Sequence, residues 1–153
     1  MTIFFTCFIM PATACRISDL RDLDAAFTIR EKVFVEGQGV PAALENDVHD
    51  RTDARHYLVR TDDGTPAGAA RWREIENGVK LERFAVLEAF RNQEIGATIL
   101  HAVLADVAAE RPDAEVYLNA QLRAVPFYER HGFRKVGELF EEAGIQHYKM
   151  VLG

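Results

Sequence analysis

The order of elements predicts an α+β domain with a mixed, mostly antiparallel central sheet flanked by helices. Two observations carry this. Helical and strand patterns intersperse, but three strand patterns follow one another as hairpins, which argues against a purely parallel sheet. A chain of 153 residues, 48% hydrophobic and 27% charged, also has the size and composition to bury one core.

The elements follow in order. "ACRI" reads as the first strand. Ser18 or Asp19 can cap a helix whose Leu20, Leu23, Phe27, Val33 and Phe34 recur near helical spacing. "GQGVP" stops it, and "AALENDVHD" reads as short, acidic and irregular. "HYLVR" is a strand, "DDGTP" a turn, "AGAARWREI" a strand, "ENG" a tight hairpin turn and "VKLERFAVL" another strand. Ile95, Ile99, Leu100, Val103 and Val107 mark one face of a long helix that "RPDA" breaks. "EVYLNA" is a short strand, "AVPFYERHGF" a helix ending at Gly132, and "RKVGELF" and "HYKMVL" are the last strands.

Residues 1–11 are set apart as an N-terminal extension, an edge strand or a frayed end, and residues 12–153 as the domain. The apolar start imitates a signal peptide, but no Lys or Arg precedes its apolar run, and the run is too short to span a bilayer. Met10 is an alternative start. Cys7 and Cys15 form no CxxC pair and no metal spacing, so a reduced, cytoplasmic setting is expected. A net charge of −6 without any basic run leaves no footprint for nucleic acid.

"FRNQEIGATILHAVLADVAAE" raises the question of chemistry. A turn at a helix start presents unpaired backbone N–H groups and a partial positive charge, which suits a phosphate. Arg91 and Gln93 can add side-chain donors, and Gly96 lets the backbone come close. On spacing alone this signal is weak. In "YLNAQLRAVPFYERHGF", Asn119 ends a strand and Tyr128 sits in a helix, where a lone tyrosine is usually core packing.

Together the two segments resemble the GNAT superfamily of acyl-CoA N-acyltransferases. Strand "ERFAV", loop "RNQEIG", helix, strand "VYLNA" and helix "FYERHGF" follow the family order over roughly residues 16–150. The family loop, Arg/Gln-x-x-Gly-x-Gly/Ala, falls on Arg91 to Gly96, and the Tyr-x-x-x-Gly-Phe ending falls on Tyr128 to Phe133. "IREKVFVEGQGVP" and "FEEAGIQHYKM" look like a bacterial subgroup of small GNAT proteins of undefined substrate. "REKVFVEGQG", with Arg30, is also similar to the acceptor side of acyl-homoserine lactone synthases.

The resemblance implies direct transfer of an acetyl group from acetyl-CoA to the amine of a small molecule or peptide. It implies that the backbone of Phe84, Ala85 and Val86 pairs with the pantetheine arm. The amides of Asn92, Gln93, Glu94, Ile95, Gly96 and Ala97 would hold the pyrophosphate, beside Arg91, and Asn119 would bond the cofactor near its amide arm. Tyr128 would sit near the thioester sulfur as a neutral donor to the leaving thiolate. Val86 N–H would face the developing oxyanion. Glu82 is a candidate general base, weighed against a salt-bridged strand carboxylate, and His147 is a second candidate, weighed against a structural histidine. Arg30, Glu45 and Asp47, with Asp50, would line the acceptor side, where excess acid suits a cationic amine.

One position departs from the family. Glu94 stands where the first loop glycine belongs. Its charge opposes a pyrophosphate, yet a carboxylate also favours a first helical turn. A non-catalytic CoA-binding module with a degenerate loop is therefore the alternative function. Ser18 is the sole serine and sits at a helix cap, which argues against a serine hydrolase. Glu45, Asp47, His49 and Asp50 lack the glycine and terminal glutamate of a calcium loop, so no metal is expected. No membrane partner is expected either, and a homodimer stays open.

Overall fold

The computed structural model describes residues 12–153; the proposed extension at 1–11 lies outside the described residues. β1 (Ala12–Arg16) leads to α1 (Leu20–Arg30), capped by the Asp19 carboxylate, which accepts from Asp22 N–H at 2.8 Å. The helix runs on through Glu31–Glu36 as a π-helix, with Gly37 N–H donating to the Lys32 carbonyl five residues back. The acidic segment expected to be irregular forms two single turns, α2 (Ala42–Glu45) and α3 (His49–Thr52). β2 (Arg55–Thr61), β3 (Pro66–Ile75) and β4 (Gly78–Val86) form the expected meander. A 3₁₀ turn at Glu88–Phe90 precedes α4 (Ile95–Glu110), and β5 (Glu115–Gln121) follows. A 3₁₀ turn at Leu122–Ala124 enters α5 (Val125–Arg130), which is shorter than the sequence pattern suggested. β6 (Phe133–Glu142) and β7 (Ile145–Leu152) close the chain as a hairpin.

The strands form one sheet in the order β1-β2-β3-β4-β5-β7-β6. Every neighbouring pair is antiparallel except β4 and β5. The α+β, mostly antiparallel class is thus the observed one. Alternation along the strands feeds two apolar layers. Tyr57, Val59, Trp72 and Leu81 pack with Ile99, Leu100 and Val103 of α4 on one face. Leu58, Ala69 and Ala85 pack with Ala26, Ile29 and Val33 of the first helix on the other. Burying a Leu- or Val-sized side chain stabilises by about 1.5–3 kcal/mol, so these two layers fix both helices to the sheet.

At the parallel seam, Gly78 is required by close approach. A Cβ there would lie 2.3 Å from the Glu115 carbonyl oxygen. Among the described residues, no helix is long and apolar enough to cross a membrane.

Candidate active site

β4 and β5 pair over a short stretch, Gly78–Leu81 with Glu115–Leu118, and then part. A bulge in β4 accompanies the parting. Ala69 faces Ala85 and Arg71 faces Glu82, so β4 carries one residue more than β3 over this span. Arg83 takes the left-handed conformation, φ 59°, inside the bulge. Beyond Leu81, β4 has β3 on one side and, among the described residues, no ladder partner on the other. Its Phe84–Val86 edge borders a cavity of about 440 Å³ that Asn119, Tyr128 and His147 also line.

A second groove, of about 900 Å³, lies between the start of α4 and α5. Its wall includes Asn92, Glu94, Gly96 and Ala97 of the loop. The N-terminal amides of a helix lack intrahelical partners, and among the described residues no side chain caps those of α4. Glu94, the N-cap residue, has φ 60° and ψ 16°, and Asn92 is also left-handed at φ 65°. The position that carries Glu94 therefore demands the backbone glycine adopts freely. Gly96 is helical instead. A Cβ there would touch the Phe127 ring at an ordinary 3.5 Å, so its value is room in the groove rather than freedom of φ. Arg91, Arg123 and Arg130 line the same groove, a cationic set that sequence reasoning found only in part. These donors fit a polyanion such as CoA; the exposed Glu94 carboxylate is the one opposing charge on the loop.

Tyr128 lines both spaces. Edge-on contacts from Phe84, Phe127 and Phe133, with centroids 5.1–6.4 Å away, hold its ring. Burial pushes its phenol above the ordinary value, so it stays protonated at neutral pH.

Of the four residues expected on the acceptor side, Arg30, Asp47 and Asp50 stand off the cavity wall. Arg30 is 1% exposed and does not border the cavity. Its guanidinium bonds the Glu45 carboxylate at 2.6 Å and both Asp50 oxygens at 2.7 and 3.0 Å. Asp47 also lies off the cavity wall, held by two 2.7 Å bonds from Arg71, which take its carboxyl well below the usual range. Arg71 joins Asp50 and Glu82 to the same cluster. The physical reason is pairing: these acids are neutralised by buried arginines and pin α2 and α3 to the sheet. Glu45 alone of the four borders the cavity, and it too is bonded to Arg30.

Glu82 borders the cavity but is poorly suited to be a base. Burial alone would raise its carboxyl; Arg71, Arg73 and Lys80 outweigh that and bring it down to about 2. His147 is better placed. Its Nδ1 lies 2.7 Å from the Ile145 carbonyl, so Nδ1–H donates there and Nε2 keeps its lone pair. Nε2 is 4.0 Å from the Glu142 carboxylate. In the β5–β7 register, His147 stands opposite Gln121. Gln121 and its partner Gln38 both border the cavity, and no local signal marks either one.

A strand splayed from its parallel neighbour thus lies beside the start of α4. The family model of the acetyltransferase (GNAT) domain matches residues 19–153, and the chain belongs to that family. It is 41% identical over 130 residues to the uncharacterized N-acetyltransferase YjcF of Bacillus subtilis (strain 168), covering 84% of this chain and 91% of that one. The crystal structure of Escherichia coli ElaA is 30% identical with a TM-score of 0.82, covering 94% of this chain and all of that one (100%). That of an acyl-CoA N-acyltransferase from Pseudomonas aeruginosa is 28% identical with a TM-score of 0.81, covering 94% and 99%.

Proposed function

We propose that this protein moves an acetyl group from acetyl-CoA directly to an amine of a small molecule or peptide. The observation that carries this is Tyr128, which borders both the groove at the α4 N-terminus and the cavity beside the unpaired β4 edge. Acetyl-CoA fits such a passage: the amides of Ile95, Gly96 and Ala97 with Arg91, Arg123 and Arg130 suit its phosphates, and Phe84–Val86 suit its amide arm. The thioester supplies an activated carbonyl.

The residues then divide the work. The amine lone pair forms the C–N bond, with a β4 backbone N–H such as that of Val86 facing the oxyanion. The C–S bond breaks and sulfur leaves with its electrons. Tyr128 gives that sulfur a hydrogen bond. Full proton transfer from a phenol above 10 to a thiolate near 8.5 is uphill by at least about 2 kcal/mol. The proton lost by nitrogen passes to His147 Nε2 or to water, while Glu82 stays ionised within its ion pairs.

Purified protein with acetyl-CoA and a panel of amines, read by thiol release, tests the reading. CoA binding without release from any amine would leave the non-catalytic module, which the strained, charged Glu94 favours.

A further inference from the structure

Gln38 follows the π-helix, and Gln121 ends β5, 83 residues later. Their side chains form a reciprocal amide pair, Gln38 Nε2–H to Gln121 Oε1 at 3.1 Å and Gln121 Nε2–H to Gln38 Oε1 at 2.8 Å. Both border the cavity, and Gln121 lies across the ladder from His147. The pair therefore bridges the two sides of the acceptor space next to the group best placed to take a proton.

Pairing uses one N–H and one lone pair of each amide. One further N–H and one further lone pair remain on each side. A donor beside an acceptor is the complement of a carboxamide or peptide unit, which carries both. A carboxylate lacks the donor, and a simple alkylamine has neither group beyond its nucleophile.

The proton balance points the same way. Glu82 is held too acidic to draw a proton from an ammonium ion. A lysine-type amine, pKa about 10.4, is neutral in about one molecule per thousand at pH 7.5. An α-amine, about 7.7–8.0, is neutral in roughly a quarter to two-fifths. An α-amine next to an amide brings its own neutral fraction. Val33, Phe34, Val40 and Leu44 add an apolar wall for a side chain.

We infer that Gln38 and Gln121 recognise the amide of the acceptor, and that the acceptor is an α-amino amide with an apolar side chain, as at a peptide N-terminus. This rests on the transferase reading above.

The test compares kcat/KM for L-leucinamide and L-leucine methyl ester in the thiol-release assay at pH 7.5. Their amines are of similar basicity, and the ester lacks the N–H donors. The native protein should prefer the amide by about tenfold, the worth of one hydrogen bond in a partly buried site. In Gln38→Leu and Gln121→Leu the ratio should fall towards one, with calorimetric CoA binding verifying the fold. Turnover of both acceptors without amide preference, which needs no variant to observe, overturns this inference and leaves the transferase standing. A preference unchanged in either folded variant also overturns it. If CoA binds but neither these acceptors nor any amine of the wider panel releases thiol, the transferase reading falls, and this one with it.

Discussion

Replacing Glu94 by glycine acts on two physical quantities at once, and they can be measured apart. An L-residue held at φ 60° costs about 1–2 kcal/mol relative to an ordinary conformation. Glycine escapes that cost but is freer when unfolded, which offsets part of the gain. The net gain is on the order of 1 kcal/mol, which raises the Tm of a chain this size by about 2–4 °C. The second quantity is charge. Water-screened repulsion between the carboxylate and a phosphate about 4 Å away is about 1 kcal/mol, or about fivefold in affinity. Calorimetry of acetyl-CoA binding at low salt should find Glu94→Gly tighter by that factor. Glu94→Gln should bind comparably tighter with no rise in Tm, because it keeps the left-handed backbone. Both gains in affinity should shrink as salt rises. A Tm unchanged by glycine would refute the strain. An affinity unchanged in both variants would put the carboxylate away from the ligand, and the loop would carry no electrostatic flaw.

Tyr128→Phe should keep CoA affinity while lowering kcat, since only the hydroxyl that would face the sulfur is lost; native turnover in the variant would remove its role. Arg71→Met leaves Asp47, Asp50 and Glu82 short of a buried cation, and urea denaturation should show a loss of about 3–5 kcal/mol. The folded-state carboxyl of Glu82 is depressed from an ordinary 4.5 to about 2. Its stabilisation is therefore full above about pH 4.5 and lost as pH falls towards 2. Asp47 adds a loss of the same sign. Chemical denaturation across that window should show a steep fall, shallower in Glu82→Gln. His147→Asn should lower kcat at neutral pH with CoA affinity retained, and an unchanged kcat would assign the proton to water.

Local signals carried most of the elements. Apolar spacing located α1 and α4, a cap at Ser18 or Asp19 marked a start, and the "ENG" turn joined β3 to β4. The signals failed where structure is made by distant partners. The bulge at Arg83 has no periodic trace, because a left-handed arginine is imposed by the sheet around it. Arg30 and Asp50 meet Arg71 in one ion cluster built from three separate segments, so in the sequence the first two looked like charge available to a substrate. Gln38 and Gln121 met only through the fold. At Glu94 the sequence carried the departure from glycine, while the sign of φ is set by the fold.

The parallel seam has a consequence for how the chain assembles. Four register pairs hold β4 to β5, while all other ladders on either side join strands in antiparallel runs. The molecule is thus two blocks, β1–β4 and β5–β7, stitched along a short line, with α4 packed on the first and α5 on the second. The β2–β4 meander and the β5–β7 ladders join residues nearer in sequence and close cheaper loops than the seam does, while β1 and β2 pair across a longer span still. The seam should therefore zip after the meander and the β6–β7 hairpin have formed. A chain cut in the Arg111–Ala114 connection offers a way to see this: two fragments, each with its own hairpins, should reassociate by rebuilding one line of pairing.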